Sequence, residues 1–555
     1  MKKAKPSTPP PRPSTERLTR IGSLTAWISL GSFFYYLGHG EILMHGDAVA
    51  HINIARRVFD SLNPGPLQLG TVWLPLPHLL MIPFLLSSKM WQSGVGGSVP
   101  SMIAFVFGAV GILRLSRGLF VSAGLDASTA DIGGFFAAFV YAANPNLMYV
   151  QATALTEPLC VAFFIWAASY FADFLIMLGT EAQHTEGRRG LLCCALCVAC
   201  AELTRYDGWF LGAVTGTVVL AIVLGDRQNL NDRRFRRSLG EFLAVISLAP
   251  ALWLAYNAVV YGSAWAFANG PYSAQAIEAR VHAPNPAAHD LWASVSYFLK
   301  SAQITLAVGN WGRFWLAAAV LASVILARKL PRRVAAVLLV LWSPVAFYAL
   351  SIAYGSVPLH VPMWWPFAIF NQRFGLELLP LFAVAAGALV ALATRVLPLH
   401  KWRVVGSALA LVMASYAFVW VAKPLCWQEA WRNWQIRRGL EMSVEGAIKE
   451  FPADSLFMMD LGEHVGIMER LGIPLRRVIN GQDHRLWLRP SDPQGAWERA
   501  LADPGKYVNY VIIFEGDSVD RGVNRDQLTL LEVIHATGEP PARIYITPLP
   551  PNQVR

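Results

Sequence analysis

The sequence predicts an α-helical polytopic membrane protein with about 11 transmembrane helices and a C-terminal extracytoplasmic α/β domain. Of its 555 residues, 55% are hydrophobic and only 15% are charged, and the mean hydropathy is +0.41. Apolar runs long enough to cross a bilayer recur along the chain. Short blocks of Lys and Arg separate many of these runs. Such blocks are typical of cytoplasmic loops, and they explain the net charge of +10 without a nucleic-acid partner.

The first 20 residues are rich in Pro, Ser, Lys and Arg, and we expect them to form a disordered basic tail in the cytoplasm (1–20). Residues 21–422 then form the predicted membrane domain. Its spans are predicted at 21–40, 99–117, 132–150, 157–178, 190–204, 207–225, 240–260, 302–327, 334–354, 376–397 and 404–422.

Basic residues decide the predicted orientation of these spans. They fall on the same side as the N-terminus, which should be cytoplasmic, in blocks at 114–117, 188–189, 227–237, 328–333 and 401–403. This parity requires that the apolar run 72–86, within the first outer loop 41–98, does not cross. Pro75, Pro77 and Pro83 disrupt helical hydrogen bonds there, so we expect a bent helix in the outer interface.

The C-terminal region, 423–555, differs in composition from the membrane domain. Helical stretches, such as the one at 427–450, alternate with apolar runs of strand length. These runs lie at 455–459, 477–479, 507–514 and 543–546. This alternation predicts a small α/β domain. With an odd number of spans and a cytoplasmic N-terminus, the domain should lie outside the membrane.

Ionisable residues collect at the predicted outer ends of the spans. Such residues are costly beside a membrane and usually face a cavity or a partner. Carboxylates that converge with arginines suit an acid/base centre beside a phosphate. The candidates are Asp47, His51, Arg56, Glu157, Glu202, Arg205, Asp207, His360, Arg373 and Glu377.

Simpler interpretations of these residues stay open. Asp47 could only cap the helix that follows it, although capping does not exclude catalysis. Glu157 precedes Pro158 and could simply start a helix. Arg205 and Arg373 could extend to lipid phosphates without forming a site.

The order of short motifs along 21–422 resembles the GT-C membrane glycosyltransferases, in the branch of protein O-mannosyltransferases and lipid A aminoarabinose transferases. An Asp after the first span precedes Ala-Arg, a Pro-rich helix follows, and later motifs place an acid before one span, a basic residue between two spans, and Arg before Pro. The residues are Asp47, Ala55-Arg56, Leu74-Pro75-Leu76-Pro77, Asn144-Pro145 to Thr156-Glu157, Leu203-Thr204-Arg205-Tyr206-Asp207-Gly208, and Arg373-Phe374 to Leu379-Pro380.

The resemblance implies sugar transfer from a polyprenyl-phosphate donor on the outer face of a bacterial or archaeal cell (inner) membrane. It implies that Asp47 and Glu157 are catalytic, with Asp47 taking the acceptor's proton. Arg205 and Arg373 would bind the lipid phosphate, and single displacement would invert the sugar. The other residues expected to bind substrate are His51, Arg56, Asp207 and His360. The sequence does not name the sugar or the acceptor, which is a protein, lipid or glycan.

No metal or other cofactor is expected. Some GT-C relatives carry Glu-Lys-Pro where this chain has Trp73-Leu74-Pro75, and no outer His/Asp/Glu cluster has a ligand spacing. Four of the six Cys lie within 193–200, where they suit small apolar residues better than ligands. Ligands from distant loops could still converge on a divalent ion.

Two other functions remain as alternatives. An oligosaccharyltransferase-like enzyme would move a whole glycan and need a divalent metal, for which no clear Asp-x-Asp pair is present near the outer face. A transporter would place ionisable residues near the membrane midplane and show paired halves with broken helices. The acidic residues here lie instead at predicted span ends.

Overall fold

The structure of the protein is a computed structural model that describes residues 13–178, 180, 185–225, 232–270, 273–281, 284–462, 464–481 and 495–548. These residues are mostly helical, and a small sheet lies near the C-terminus. This agrees with the predicted fold class.

The helices that precede the C-terminal sheet are labelled in chain order. They are α1 Thr15–Gly38, α2 Gly46–Arg57, α3 Pro75–Leu85, α4 Ser88–Gln92, α5 Val95–Ser122, α6 Ala127–Ala142, α7 Pro145–Val150, α8 Glu157–Met177, α9 Glu186–Glu202, α10 Tyr206–Gly225, α11 Arg233–Tyr261, α12 Ala266–Asn269, α13 Ala274–Val281, α14 Leu291–Ile304, α15 Gly312–Lys329, α16 Arg332–Ala335, α17 Val337–Tyr354, α18 Leu379–Val396, α19 Lys401–Val421 and α20 Leu425–Lys449.

Each of the 11 predicted spans corresponds to a helix in this part of the chain. Among the described residues, seven helical segments are long and apolar enough to cross a membrane. They are Val95–Ser122, Glu157–Met177, Tyr206–Gly225, Arg233–Tyr261, Arg332–Tyr354, Gln372–Val396 and Pro398–Lys449. The number of crossings therefore stays a prediction.

Three predicted boundaries need correction. The first helix begins at Thr15, so the last residues of the predicted disordered tail are helical. The predicted span 132–150 is split, because Asn144 caps a new helix in which Pro145 takes the first position. The predicted span 302–327 is also split, since α14 ends at Ile304 and α15 begins at Gly312.

Two contacts of basic residues show that predicted cytoplasmic helix ends lie together at one end of the bundle. Arg17 at the start of α1 pairs with Asp131 near the start of α6 (2.5 Å). Arg395 at the end of α18 donates to the carbonyl of Gly124 between α5 and α6 (2.9 Å). We call this the basic end and the opposite one the far end. Arg227, in one predicted block, lies outside the described residues.

The predicted interfacial run forms α3 at the far end, between the end of α1 and the start of α5. Its 11 residues include Pro75 and Pro77 in the first turn and Pro83 within the helix. A helix of this length extends roughly 16 Å, which is too short for a hydrocarbon core of about 30 Å. The length of α3 thus agrees with a helix that does not cross.

The C-terminal sheet has five strands: β1 Phe457–Met459, β2 Val478–Ile479, β3 Tyr510–Phe514, β4 Thr529–Ala536 and β5 Glu539–Ile546. Their order is β2-β1-β3-β5-β4, in which β1 pairs in parallel with β2 and β3, and β5 pairs antiparallel with β3 and β4. Short helices α21 Gly466–Leu471, α22 Ala496–Ala502 and α23 Ser518–Gly522 connect them. The sequence missed β4, because most of this edge strand is exposed and lacks a buried face.

Candidate active site

Asp47 lies in the first turn of α2, at the far end. The helix is capped by His45, whose Nδ1 lies 3.2 Å from the backbone nitrogen of Asp47. The interpretation of Asp47 as the N-cap is therefore wrong. Its carboxylate instead forms an ion pair with Nη2 of Arg373, and its side chain is 37% exposed. Asp47 thus remains accessible to a ligand.

Arg373 forms the centre of the site. It lies in the 3-10 helix Gln372–Leu378, directly before α18, and its side chain is 9% exposed. Nε donates to Oε1 of Glu157 (2.8 Å), Nη1 lies 2.6 Å from Nε2 of His45, and Nη2 pairs with Asp47. A guanidinium with all three nitrogens bound inside the protein is not extended to lipid. The structure therefore favours a site role for Arg373.

Arg205 lies between α9 and α10 and shares Glu157 with Arg373. Its Nη1 donates to the same Oε1 of Glu157 (2.8 Å), and its Nε donates to Oδ2 of Asp207 (3.2 Å). Its Nη2 donates to the hydroxyl of Tyr348 (3.3 Å). Glu157 is 1% exposed and holds both guanidiniums together. We call Asp47, Arg373, Glu157, Arg205 and Asp207 the ion-pair network.

Two further carboxylates border this network. Glu429, on α20, accepts hydrogen bonds from the backbone nitrogens of Asn371 (2.6 Å) and Gln372 (2.9 Å), and it lies 3.7 Å from Nη1 of Arg373. Glu377 lies 3.9 Å from Nε of Arg205. The sequence named Glu377 as a candidate but missed Glu429, since α20 was assigned to a separate domain.

Burial and charge together decide the protonation of His45, the N-cap of α2, and of Asp47 in its first turn. Burial raises the pKa of Asp47, but the guanidinium of Arg373 outweighs it and holds the pKa at about 2. Burial lowers the pKa of His45 to about 4, and the charge of Arg373 acts in the same direction. At neutral pH, Asp47 is therefore ionised and His45 is neutral.

His51 lies one turn after Asp47 on the same helix. Its Nδ1 lies 2.9 Å from Nε2 of His78, and its ring packs against Trp73 at 4.4 Å. Burial lowers the pKa of His51 to about 4. No hydrogen bond between His51 and Asp47 appears among the contacts of the described residues.

Arg56 and His360 contact other parts of the protein. Arg56 donates to Asp60 (2.8 Å) and to the carbonyl of Leu85 (2.6 Å), and its guanidinium lies over the ring of Trp91. Nε2 of His360 lies 2.8 Å from the carbonyl oxygen of Pro284. These contacts favour structural roles. The sequence predicted that both residues bind substrate, and the geometry does not bring either of them into the ion-pair network.

A group of possible metal ligands adjoins the network. Among the described residues, ligand atoms of Cys160, Asp207 and Glu377 lie within 4.8 Å of one another. Local spacing in the sequence could not reveal this group, because the three residues are far apart in the chain.

The predicted fold class, a polytopic bundle of helices with a C-terminal α/β domain, agrees with this architecture. The structure matches the crystal structure of ArnT from Cupriavidus metallidurans in the apo state, with a TM-score of 0.54 and 13% identity, over 95% of this chain and 98% of that chain. ArnT is a lipid A aminoarabinose transferase. The likeness confirms the predicted GT-C fold.

A second match is the Archaeoglobus fulgidus oligosaccharyltransferase in complex with Zn and sulfate. The TM-score is 0.46 at 12% identity, and the match covers 96% of this chain and 74% of that chain. No protein-family model and no curated protein matches the sequence.

Proposed function

We propose that the protein is an inverting membrane glycosyltransferase that uses a polyprenyl-phosphate-linked sugar. The observation that carries the proposal is the ion-pair network itself. An accessible carboxylate, Asp47, is paired with an arginine, and Glu157 joins that arginine to a second one. The network lies at the far end of a fold shared with ArnT.

The donor phosphate would displace a carboxylate from Arg373, because each of the three nitrogens of this guanidinium already has a partner within the protein. Asp47 is the most exposed of its partners and is the one that a phosphate would displace. Arginine suits this exchange, since its planar fork pairs with phosphate through two hydrogen bonds. Binding of the donor would thus separate Asp47 from Arg373.

This displacement converts Asp47 into a base. While it is paired with Arg373, its pKa of about 2 makes it a poor proton acceptor. Once the phosphate neutralises the guanidinium, burial is no longer opposed and the pKa of Asp47 rises. The carboxylate can then take the proton of the acceptor nucleophile.

The remaining step is a single displacement at the sugar. The acceptor forms a bond to the anomeric carbon, the bond to the phosphate oxygen breaks, and the configuration inverts. Arg373 and Arg205 stabilise the negative charge that develops on the leaving phosphate. Glu157 keeps the two guanidiniums in place, because one of its oxygens accepts a hydrogen bond from each.

The transporter alternative expects charges near the membrane midplane. The network residues lie instead beside the starts of α2, α8, α10 and α18. Transfer of a whole glycan stays an alternative. The products of an assay with single-sugar donors would show whether the protein transfers a single sugar.

Mass spectrometry of the lipid that co-purifies with the protein tests the proposal. We expect a polyprenyl phosphate or its sugar ester with the wild type and with Arg188→Ala, a variant at the basic end, and a reduced amount with Arg373→Ala. Only bulk phospholipids, in the same composition for all three proteins, would contradict the proposal.

A further inference from the structure

Three side chains that are far apart in the sequence line one small cavity at the ion-pair network. Cys160 lies in the first turn of α8, Asp207 in the first turn of α10, and Glu377 in the 3-10 helix before α18. Their ligand atoms lie within 4.8 Å of one another, which is close enough to contact one ion. Apolar side chains, including Phe164 and Phe347, form other walls of the cavity.

The two oxygens of Asp207 face different partners. Oδ2 accepts hydrogen bonds from Tyr348 (2.9 Å) and from Nε of Arg205 (3.2 Å). Oδ1 accepts a hydrogen bond from the thiol of Cys160 (3.7 Å). Tyr348 and Arg205 therefore orient the carboxylate, and Oδ1 faces the thiol whose proton a metal ion would replace.

Glu377 independently indicates that this cavity binds a ligand. It is 3% exposed, and it lines the cavity. Its Oε1 makes no hydrogen bond to any residue that the structure describes, and the nitrogen of its ion pair, Nε of Arg205, is 3.9 Å away. A buried carboxylate oxygen without a hydrogen bond is costly unless another group approaches it.

Charge balance favours a cation as that group. Five carboxylates surround two guanidiniums: Asp47, Glu157, Asp207, Glu377 and Glu429 face Arg205 and Arg373. Buried charges need partners of opposite sign. A divalent ion beside Glu377 and Asp207 would compensate part of the negative excess.

We propose that Cys160 Sγ, Asp207 Oδ1 and Glu377 Oε1 bind one divalent transition-metal ion, with Zn²⁺ as the best fit. A thiolate with two carboxylates favours Zn²⁺ over Mg²⁺ or Ca²⁺, which prefer oxygen ligands alone. Three protein ligands leave the fourth tetrahedral position for water. Binding replaces the thiol proton of Cys160, which is released to solvent.

The site differs from the expectation of no metal because its ligands come from three helices. It would tie α8, α10 and the segment before α18 together next to Arg205. The inference does not depend on the sugar-transfer proposal, because metal binding is measured without any substrate.

Metal content and cobalt spectroscopy of the full-length protein in detergent test the site. After equilibration with Zn²⁺ and removal of loose metal, we expect about one ion per chain. Co²⁺ in its place should give a near-ultraviolet band from charge transfer between thiolate and metal. Both signals should be lost in Cys160→Ser and strongly reduced in Glu377→Gln.

Matched cysteine variants locate the signal. Cys426→Ser removes another buried thiol, and Cys197→Ser changes the cysteine-rich stretch of α9; both should keep the ion and the cobalt band. Gel filtration shows whether each variant is folded. Absence of bound metal in the wild type, an unchanged cobalt band in Cys160→Ser, or loss of the band in Cys197→Ser would each overturn the proposal.

Discussion

Arg373 binds three groups that lie far from it in the sequence: His45, Asp47 and Glu157. Each nitrogen of its guanidinium has its own partner, so the side chain has one orientation rather than a set of surface rotamers. The sequence predicted that Asp47, Glu157 and Arg373 would converge, since all three fall at predicted outer ends of spans. The Arg373 side chain therefore links the start of α2 to the start of α8.

Removal of either arginine should weaken donor binding. Arg205→Ala and Arg373→Ala should each raise the donor KM about 10- to 100-fold, because a hydrogen bond between charged groups contributes about 1.5–3 kcal/mol. Lysine at either position should restore binding only in part, since it lacks the planar fork. Steady-state kinetics with a polyprenyl-phosphate sugar measures these changes.

The control for the arginine variants is Arg188→Ala. Arg188 pairs with Glu241 in an exposed contact at the basic end, so its loss should leave the donor KM unchanged. Wild-type kinetics for both Arg205→Ala and Arg373→Ala would mean that these side chains are only anchors.

His51 should make stability depend on pH. Burial lowers its pKa from 6.5 to about 4, so the unfolded chain binds a proton that the folded protein excludes. The stabilisation is present above pH 6.5 and is lost as the pH falls toward 4. The free-energy advantage of the wild type over His51→Asn should therefore shrink by on the order of 2 kcal/mol between pH 7 and pH 5.

Thermal unfolding in detergent at both pH values measures this change. His39→Asn, at an exposed position after α1, is the matched control for a change of His to Asn outside the site. A difference for His51→Asn that stays constant or grows toward pH 5 would contradict the assignment of a neutral buried imidazole.

Among the helices, α20 contacts both the start of α2, which carries Asp47, and the segment directly before Arg373. Its Asn433 accepts a hydrogen bond from the backbone nitrogen of Gly46 (2.7 Å), and its Arg437 donates to the carbonyl of Met44 (3.0 Å). Its Glu429 binds the backbone directly before Arg373. The helix that begins the C-terminal region thus positions both Asp47 and Arg373.

Asn433→Ala should therefore slow catalysis, although the Asn433 side chain acts through the backbone of α2 and not on the substrate. Loss of the hydrogen bond to Gly46 frees the first turn of α2, and a displaced Asp47 should lower kcat about 10- to 100-fold with little change in the donor KM. The control is Gln435→Ala, on an exposed part of the same helix, which should keep wild-type kinetics. Equal kcat values for the two variants would show that α20 does not position the base.

The same elements show what the sequence could and could not predict. Apolar length and basic blocks predicted a helix at each of the 11 spans and a short, Pro-rich α3. They did not predict the breaks before Pro145 and Gly312, because both breaks lie within longer apolar runs that were each assigned to one span. Glu429 was missed because a contact between α20 and the network depends on tertiary packing, which no local pattern reports.

Across the whole molecule, the basic residues that meet at one end of the bundle predict a single orientation. The basic end should be cytoplasmic, and the far end and the C-terminal sheet should face outward. The network would then meet its donor at the outer leaflet.

Cysteine labelling in intact cells tests this orientation. A membrane-impermeant maleimide should label Glu532→Cys, on exposed β4, without permeabilisation. Arg332→Cys, at an exposed position of α16 near the basic end, should react only after permeabilisation. The opposite pattern would reverse the predicted orientation.

We propose Asp47 as the base of a sugar transfer from a polyprenyl phosphate. An Asn at this position keeps the size of the side chain but cannot take a proton. The matched control is Asp126→Asn at the start of α6, which keeps its helix cap.

Release of polyprenyl phosphate from single-sugar donors by the reconstituted protein measures this step most directly. With Asp47→Asn, we predict a rate at least about 100-fold below the wild type, with a folded protein and normal rates for Asp126→Asn. Wild-type release by Asp47→Asn would contradict the account.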